Sequence, residues 1–441
     1  MTATRMRVPL RLATLTTLAG GWAAAAFFLW DSTRVPGDLH VSGLHARDFF
    51  SASLLRKGDH YERFLRIDAL LATAATIVVF LLYARWGKRF LRESAAGPIG
   101  SGMLLAMLGF ALVWLVGLPF QIAALWWERR HDVTHVSYPE VIFGGWVALG
   151  VVFVFLCVAV LVVMGLSKLL GRHWWIPGAA FFVGLFALFT FITSYLITDT
   201  HPLRDDRPQL AAQAERLAER EGVGGIPIRV EDVHGQTSAA NAFTTGFGPS
   251  RKVFLWDTLL DGRFSDAEVR FVLAHEFGHQ ARKHLVKGIA WYALFAFPGA
   301  FVIAWATRSR GGIRQPEAIP LALLVLVLIN TAATPFRAAI TRHLEREADW
   351  IALQATRDPQ AGQALFKDFA RTSLGDPNPP TWAYLWFDDH PTLMQRIGMV
   401  KAWEARNRPA RTAAEPPAGS GSPRVPSTST RSPASPPAAP S

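Results

Sequence analysis

Three residues past the middle of the chain have the types and spacing of a hydrolytic metal site: His275, Glu276 and His279, in the run His-Glu-Phe-Gly-His. Histidines four apart share one face of a helix, so both imidazoles can hold one zinc ion. Glu276 projects beside them and can accept a proton from a water that the metal activates. The run lies in SDAEVRFVLAHEFGHQARKH, and Ser265-x-x-Glu268 fits a capping box, so a helix is expected to start at Ser265. A catalytic zinc takes a third protein ligand and keeps one position open. The candidates are His284, His343 and Glu345. His284 reads as a continuation of the same helix on a different face, an ordinary residue near a membrane interface. Glu345 and Asp349 are four apart and share a face of their own. Glu345 can ligate zinc, and Asp349 can hydrogen-bond the outer nitrogen of a ligating histidine and set its tautomer. That pair is preferred to a solvated charged face, with His343 as the alternative.

The elements that must position these residues are mostly apolar. Of 441 residues, 51% are hydrophobic and only 18% charged, against about a quarter charged in a soluble domain. This excludes a disordered chain and argues against a simple cytosolic enzyme. One cysteine, Cys157, excludes an intrachain disulfide framework and a cysteine-rich metal site. Seven uncharged windows approach or exceed the roughly 20 residues that span a bilayer. They run Leu12 to Trp30, Ala69 to Ala84, Ser94 to Trp127, Val141 to Ser167, Trp174 to Thr198, Gly288 to Thr307 and Ala318 to Phe336. The second is short and is expected to start earlier, near Phe64, carrying Asp68. None has the polar face of a core helix in a soluble domain. Residues 1–30 also have the basic start and apolar body of a signal peptide. Trp30, Trp86, Trp126, Trp127, Trp174, Trp175 and Trp305 sit at window ends, where interfaces favour such rings.

The net charge of +11 could point to nucleic acid or to an anionic membrane. Its distribution favours a role in orientation. Arg5, Arg7 and Arg11 precede the first window. Arg85, Lys88, Arg89 and Arg92, against Glu93, follow the second. Lys168 and Arg172 follow the fourth, and Arg308, Arg310 and Arg314, against Glu317, follow the sixth. These segments alternate as one side of a membrane should. The positive-inside rule then places the N-terminus in the cytoplasm and the long polar segment after the fifth window outside. The soluble segments have roughly balanced charge, so a nucleic-acid partner is not expected.

The expected organisation follows. Residues 1–198 form five transmembrane helices with loops. Residues 199–287 form a zinc-peptidase subdomain with the HExxH helix. Residues 288–336 form two further spans, 337–406 the third-ligand helix and the rest of the catalytic domain, and 407–441 a Pro/Ser-rich disordered tail. Within the subdomain, 207–221 reads as an amphipathic helix and Ile226 to Val233 as a strand. Asn241 to Gly248 and Lys252 to Leu260 are strand-like, with a Gly-Pro-Ser turn between them. No internal repeat is present. The fold class is mainly α, an integral-membrane bundle with a small α+β zinc domain.

His-Glu-Phe-Gly-His, two apolar spans, then Glu345-Arg346-Glu347-Ala348-Asp349 resembles the membrane-embedded gluzincins of peptidase family M48. Asn241-Ala-Phe, Gly246 and Val253 to Leu260 are similar to the family's strand segment before the metal helix. His390-Pro391 with Arg396 is similar to its later HP motif. Five spans before the soluble segment resemble the Ste24-type CAAX prenyl proteases more than the HtpX-type quality-control proteases. The resemblance implies a seven-helix bundle enclosing a chamber and one Zn2+ per chain. It implies His275, His279 and Glu345 as ligands, Glu276 as the base and Asp349 as a support to the ligands. His390 and Arg396 would stabilise the oxyanion or position substrate and ligand, and Asn241 would lie on a strand edge that pairs with substrate backbone. The implied activity is zinc metalloendopeptidase, on a peptide or protein substrate that a membrane chamber could admit in lipidated or membrane-embedded form. An HtpX-like quality-control protease is the alternative, and a non-enzymatic seven-span transporter or receptor the alternative of another class. The Ste24-type enzymes of eukaryotes carry their zinc domain on the cytosolic side, opposite to the side that the charges favour here.

Overall fold

A computed structural model describes residues 3–408 apart from 40, 42, 92, 93 and 96. From 409 on, the expected tail lies outside the described residues, as do Arg92, Glu93 and the side chains of Arg5, Arg7 and Arg11. Five long helices come first: α1 (Ala3–Asp31), α2 (Ala52–Trp86), α3 (Gly97–Arg130), α4 (Gly145–Leu170) and α5 (Trp175–Leu196). Then follow β1 (Thr200–Pro202), α6 (Leu203–Asp206), α7 (Pro208–Arg220), β2 (Ile228–Glu231), β3 (Ala242–Thr245), β4 (Lys252–Trp256) and α8 (Asp266–Ala281). Helices α9 (His284–Thr307) and α10 (Ile319–Thr356) return to apolar sequence. The described chain closes with α11 (Pro359–Thr372), α12 (Thr381–Trp386) and α13 (Leu393–Asn407).

Among the described residues, six helices are long and apolar enough to cross a membrane: α2 to α5, α9 and α10. Only 11% to 17% of the most apolar stretch of each is buried within the protein. Leu70, Leu71, Val78 and Leu81 of α2 and Val151 and Val154 of α4 are exposed. Water would charge about 25 cal/mol for each Å² of such surface, and lipid removes that cost. Helix α1 covers the first expected span and meets the bundle where Trp22 Nε1 donates to the Leu294 carbonyl, 2.8 Å away on α9. Of the boundary tryptophans, Trp30, Trp86, Trp126 and Trp305 are exposed, whereas Trp127 and Trp174 are buried as ordinary core.

The soluble part is built on a sheet ordered β1-β2-β4-β3, with β2 and β4 parallel and both edges antiparallel. The expected hairpin pairs Phe243 with Phe254. Its turn needs glycine at Gly246, where φ is +78° and a Cβ would stand 2.2 Å from the Ser250 carbonyl oxygen. Strand β1 escaped the sequence reading because Thr-His-Pro is too short to show a period. Val230, Val253 and Leu255 of the sheet are buried in one apolar cluster with Leu210, Ala214 and Leu217 of α7, Phe271 and Phe277 of α8, Phe366 of α11 and Ile397 of α13.

Two helix boundaries differ from expectation, and both bear on the site. Helix α8 stops at Ala281; Lys283 is left-handed at φ 54°, and α9 begins at His284. His284 is therefore on a new helix, not on a later face of the HExxH helix. Conversely, the seventh window and the charged helix after it are one continuous 38-residue helix, α10. Pro335 lies inside it without ending it, as neighbouring helices allow in membranes.

The loops fall on two faces. Thr134 of the α3–α4 loop bridges Thr237 of the soluble part, and Phe50, after α1, enters the soluble core. On the other face Arg310 donates to the Ala84 carbonyl, and Ile313 packs with Trp174 and Leu91. The loops after α1, α3 and α5 therefore share one face with the HExxH helix, and the basic loops after α2, α4 and α9 share the other.

Candidate metal centre

Ser265 caps α8: its hydroxyl accepts the Glu268 N–H, and the Glu268 carboxylate accepts the Ser265 N–H at 2.8 Å. The helix so fixed turns His275 and His279 toward α10, with Glu276 one position on. Gly278 faces α10, and a Cβ there would stand 3.3 Å from Ile351 and 3.4 Å from the Ala348 backbone. The small residue inside the motif thus lets the two helices approach, and Glu345 reaches the histidines.

His275 Nε2 and His279 Nε2 lie 3.0 Å apart, with Glu345 Oε2 3.0 Å from the first and Oε1 3.3 Å from the second. One ligand atom from each of the three residues lies within 4.8 Å of the others. Two ring nitrogens and a carboxylate converging in a buried pocket are an N2O donor set, which suits zinc. The outer nitrogen of His275 is held by Asp349, 2.9 Å from Nδ1. Asp349 in turn takes a two-pronged bond from Arg396, Nε to Oδ2 at 2.8 Å and Nη2 to Oδ1 at 2.6 Å. Both members of that ion pair are buried, so the Coulomb attraction is screened little. Glu276 is buried, and burial pushes its carboxyl above the ordinary range.

His390 stands at the rim, its side chain 52% exposed, with Nε2 3.2 Å from Glu345 Oε2 and Nδ1 2.7 Å from Asp389 Oδ1. Burial opposes charge on its ring, but the Asp389 and Glu345 carboxylates prevail and raise its pKa. Arg342 holds this loop to α10 by donating to the Tyr384 carbonyl at 2.9 Å and the Asp388 carbonyl at 2.5 Å. Asn241 is exposed just before the edge strand β3, its carbonyl accepting the Trp256 N–H at 3.0 Å.

The structure thus brings together His275, His279, Glu345, Asp349, Arg396 and His390. His343 is not part of the group. Its ring stacks on Trp30 at 4.2 Å, and its Nε2 lies 2.8 Å from the Trp30 carbonyl oxygen. Sequence reasoning misplaced His284, as an ordinary residue on the HExxH helix, and gave Glu347 no part. His284 is buried with its Nδ1 2.9 Å from His279 Nδ1, and the fully buried Glu347 holds its other nitrogen at 2.9 Å. Glu347 is two residues from both Glu345 and Asp349, roughly opposite them around the helix, and reads as solvent-facing. Only the packing of α9 over that side reveals it.

The geometry defines a class: a helical, multi-pass membrane protein whose HExxH helix is completed by a carboxylate from a second helix. The chain belongs to peptidase family M48, whose model matches residues 204–404. It is 31% identical over 252 residues to an uncharacterized metalloprotease, YhfN, of Bacillus subtilis, covering 54% of this chain and 58% of that one. It is 34% identical over 216 residues to a protease HtpX homolog of Acaryochloris marina, covering 44% of this chain and 71% of that one. It is 28% identical over 222 residues to CAAX prenyl protease 1 of Saccharomyces cerevisiae, covering 44% and 48%. The matched part thus spans about half of the yeast protein and somewhat more of the Bacillus one. The crystal structure of Ste24p from S. mikatae superposes with a TM-score of 0.68 at 20% identity, covering 87% of this chain and 96% of that one. The fold of the bundle and the soluble part is therefore shared.

Proposed function

We propose that this protein is an integral-membrane zinc metalloendopeptidase of the Ste24 architecture. The observation that carries the proposal is the convergence of His275 Nε2, His279 Nε2 and Glu345 beside a buried Glu276. These three residues would hold one zinc ion, which when bound would supply Lewis acidity toward water and the scissile carbonyl. Glu276 takes the proton of the attacking water and returns it to the leaving amine. His390, at the rim and held by Asp389, donates to the developing oxyanion. Asp349 and Arg396 keep His275 in one tautomer and one plane. Substrate backbone adds to the open side of β3 near Asn241. The seventh span is α1, and the bundle encloses a chamber through which a lipidated or membrane-embedded peptide reaches the centre. We divide the chain into 1–198, 199–287, 288–336 and 337–406, with α10 running across the last boundary.

The test uses Glu276→Gln in the purified full-length chain. It is expected to keep stoichiometric zinc and lose peptide cleavage by about 10²–10⁴-fold. Retained cleavage sinks the mechanism, and native protein without zinc favours a transporter or receptor. A quality-control protease is the second reading, favoured by the identity to HtpX homologs. Cleavage of an unmodified unfolded substrate in preference to a farnesylated tail peptide would establish it.

A further inference from the structure

His279 has a second imidazole behind it. Nδ1 of His279 faces Nδ1 of His284 at 2.9 Å. Two facing ring nitrogens form a hydrogen bond only if one carries the hydrogen, and Glu347 decides which. Its carboxylate is fully buried and offers only acceptors. Oε1 accepts Arg282 Nε at 2.7 Å and the backbone N–H of Arg34 at 2.8 Å. Oε2 accepts Lys287 Nζ at 3.3 Å and faces His284 Nε2 at 2.9 Å. His284 therefore carries its hydrogen on Nε2 and presents a bare Nδ1. His279 must donate from Nδ1, which leaves a lone pair on its Nε2, the atom that faces His275 and Glu345.

We propose that His284 and Glu347 are positioning residues of the metal centre. They lock the tautomer and ring plane of His279, and they tie that ligand to the turn where the chain leaves α1. The Ser32 carbonyl in that turn accepts both Arg282 Nη2 at 2.9 Å and Lys287 Nζ at 3.0 Å. Each ligand histidine then has its own anchor: Asp349 with Arg396 for His275, and His284 with Glu347 for His279. The second anchor also joins the chain just past α1, the residue that ends the HExxH helix, α9 and α10 at one buried carboxylate. The inference rests on the reading of His279 as a zinc ligand.

The test is zinc affinity in the full-length chain, measured by competition with a chromophoric chelator. His284→Asn keeps an acceptor oxygen near the Nδ1 position. His284→Gln carries its amide toward the Nε2 position and loses that acceptor. The Gln variant should bind zinc about 10–100-fold more weakly and the Asn variant within about threefold of native. Native affinity in the Gln variant, or equal loss in both, overturns the proposal, because the ring would then only fill space. Histidine ring 15N NMR of the zinc-loaded native chain reads the same point without a substitution. A bare Nδ1 on His284 and a protonated Nδ1 on His279 are expected, and the reverse overturns the proposal. Native protein that binds no zinc overturns the metal reading and this inference with it; native protein with zinc and a tight Gln variant overturns this inference alone.

Discussion

Glu221 shows how far a single side chain can depart from what its position in the sequence implies. It follows the charged end of α7, where a glutamate belongs in water, yet both carboxylate oxygens are buried with no hydrogen-bond partner among the described residues. Burial pushes its pKa up to about 9. The folded state therefore holds this proton more tightly than the unfolded chain does. Its contribution to stability is full below about pH 4.5 and is lost as pH rises toward 9. Glu221→Gln should raise stability at pH 8 by about 1–3 kcal/mol and make little difference at pH 4. Melting temperatures of both forms at the two pH values check this; equal curves at pH 8 refute the buried, neutral assignment. His275, Glu276 and His279 are the opposite case, since their spacing alone points to metal chemistry. Their supports are only partly legible. Asp349 shares a helix face with Glu345 and could be read from sequence, whereas Glu347 and His284 could not, because one faces away from that pair and the other follows a left-handed turn at Lys283.

At the level of elements, the site depends on how closely α8 and α10 cross. Gly278 sets that distance: a Cβ there would stand 3.3 Å from Ile351, inside ordinary van der Waals contact, and 3.4 Å from Ala348. Gly278→Leu must push the helices apart or distort them, at a cost of about 1–3 kcal/mol. It should also weaken zinc binding, because Glu345 rides on the displaced helix. Adding Ile351→Ala in the same chain should restore part of both, and zinc affinity with thermal melting reads them separately. If the leucine variant binds zinc as the native chain does, the crossing is not what positions Glu345. The continuity of α10 gives this crossing a longer reach. The helix that carries Glu345, Glu347 and Asp349 also carries the last apolar span, with Pro335 at the junction between the two.

At the scale of the whole molecule, the basic loops after α2, α4 and α9 gather on the face away from the metal centre. Three of the four basic segments expected to alternate therefore share one face, because loops separated by two spans must return to the same face. Assigning the basic face to the cytoplasm places the metal centre outside, against the cytosolic placement that the resemblance to eukaryotic Ste24-type enzymes implies. Cysteine labelling decides between them. With Cys157 replaced, Pro249→Cys should react with an impermeant reagent added outside and Ser309→Cys should not; both positions are exposed, on opposite faces. Labelling of Pro249→Cys only from the cytoplasm would reverse the orientation.

The sequence by itself determined what depends on local pattern. Apolar windows located the membrane helices, Ser265 and Glu268 located the start of α8, and the four-residue spacings of His275 with His279 and of Glu345 with Asp349 selected one face of each of two helices. Hydrophobic length, capping and helical period act within a few residues, so they leave a readable trace. The tertiary structure decided everything that requires two distant segments to meet. It decided that Glu345 meets His275 and His279 while His343 turns to Trp30, and that Arg396 grips Asp349 from 47 residues away. It also decided that Glu347 gathers Arg34, Arg282, His284 and Lys287 around one carboxylate. Burial and hydrogen-bond partnership are properties of packed helices, and no spacing along a single helix encodes them.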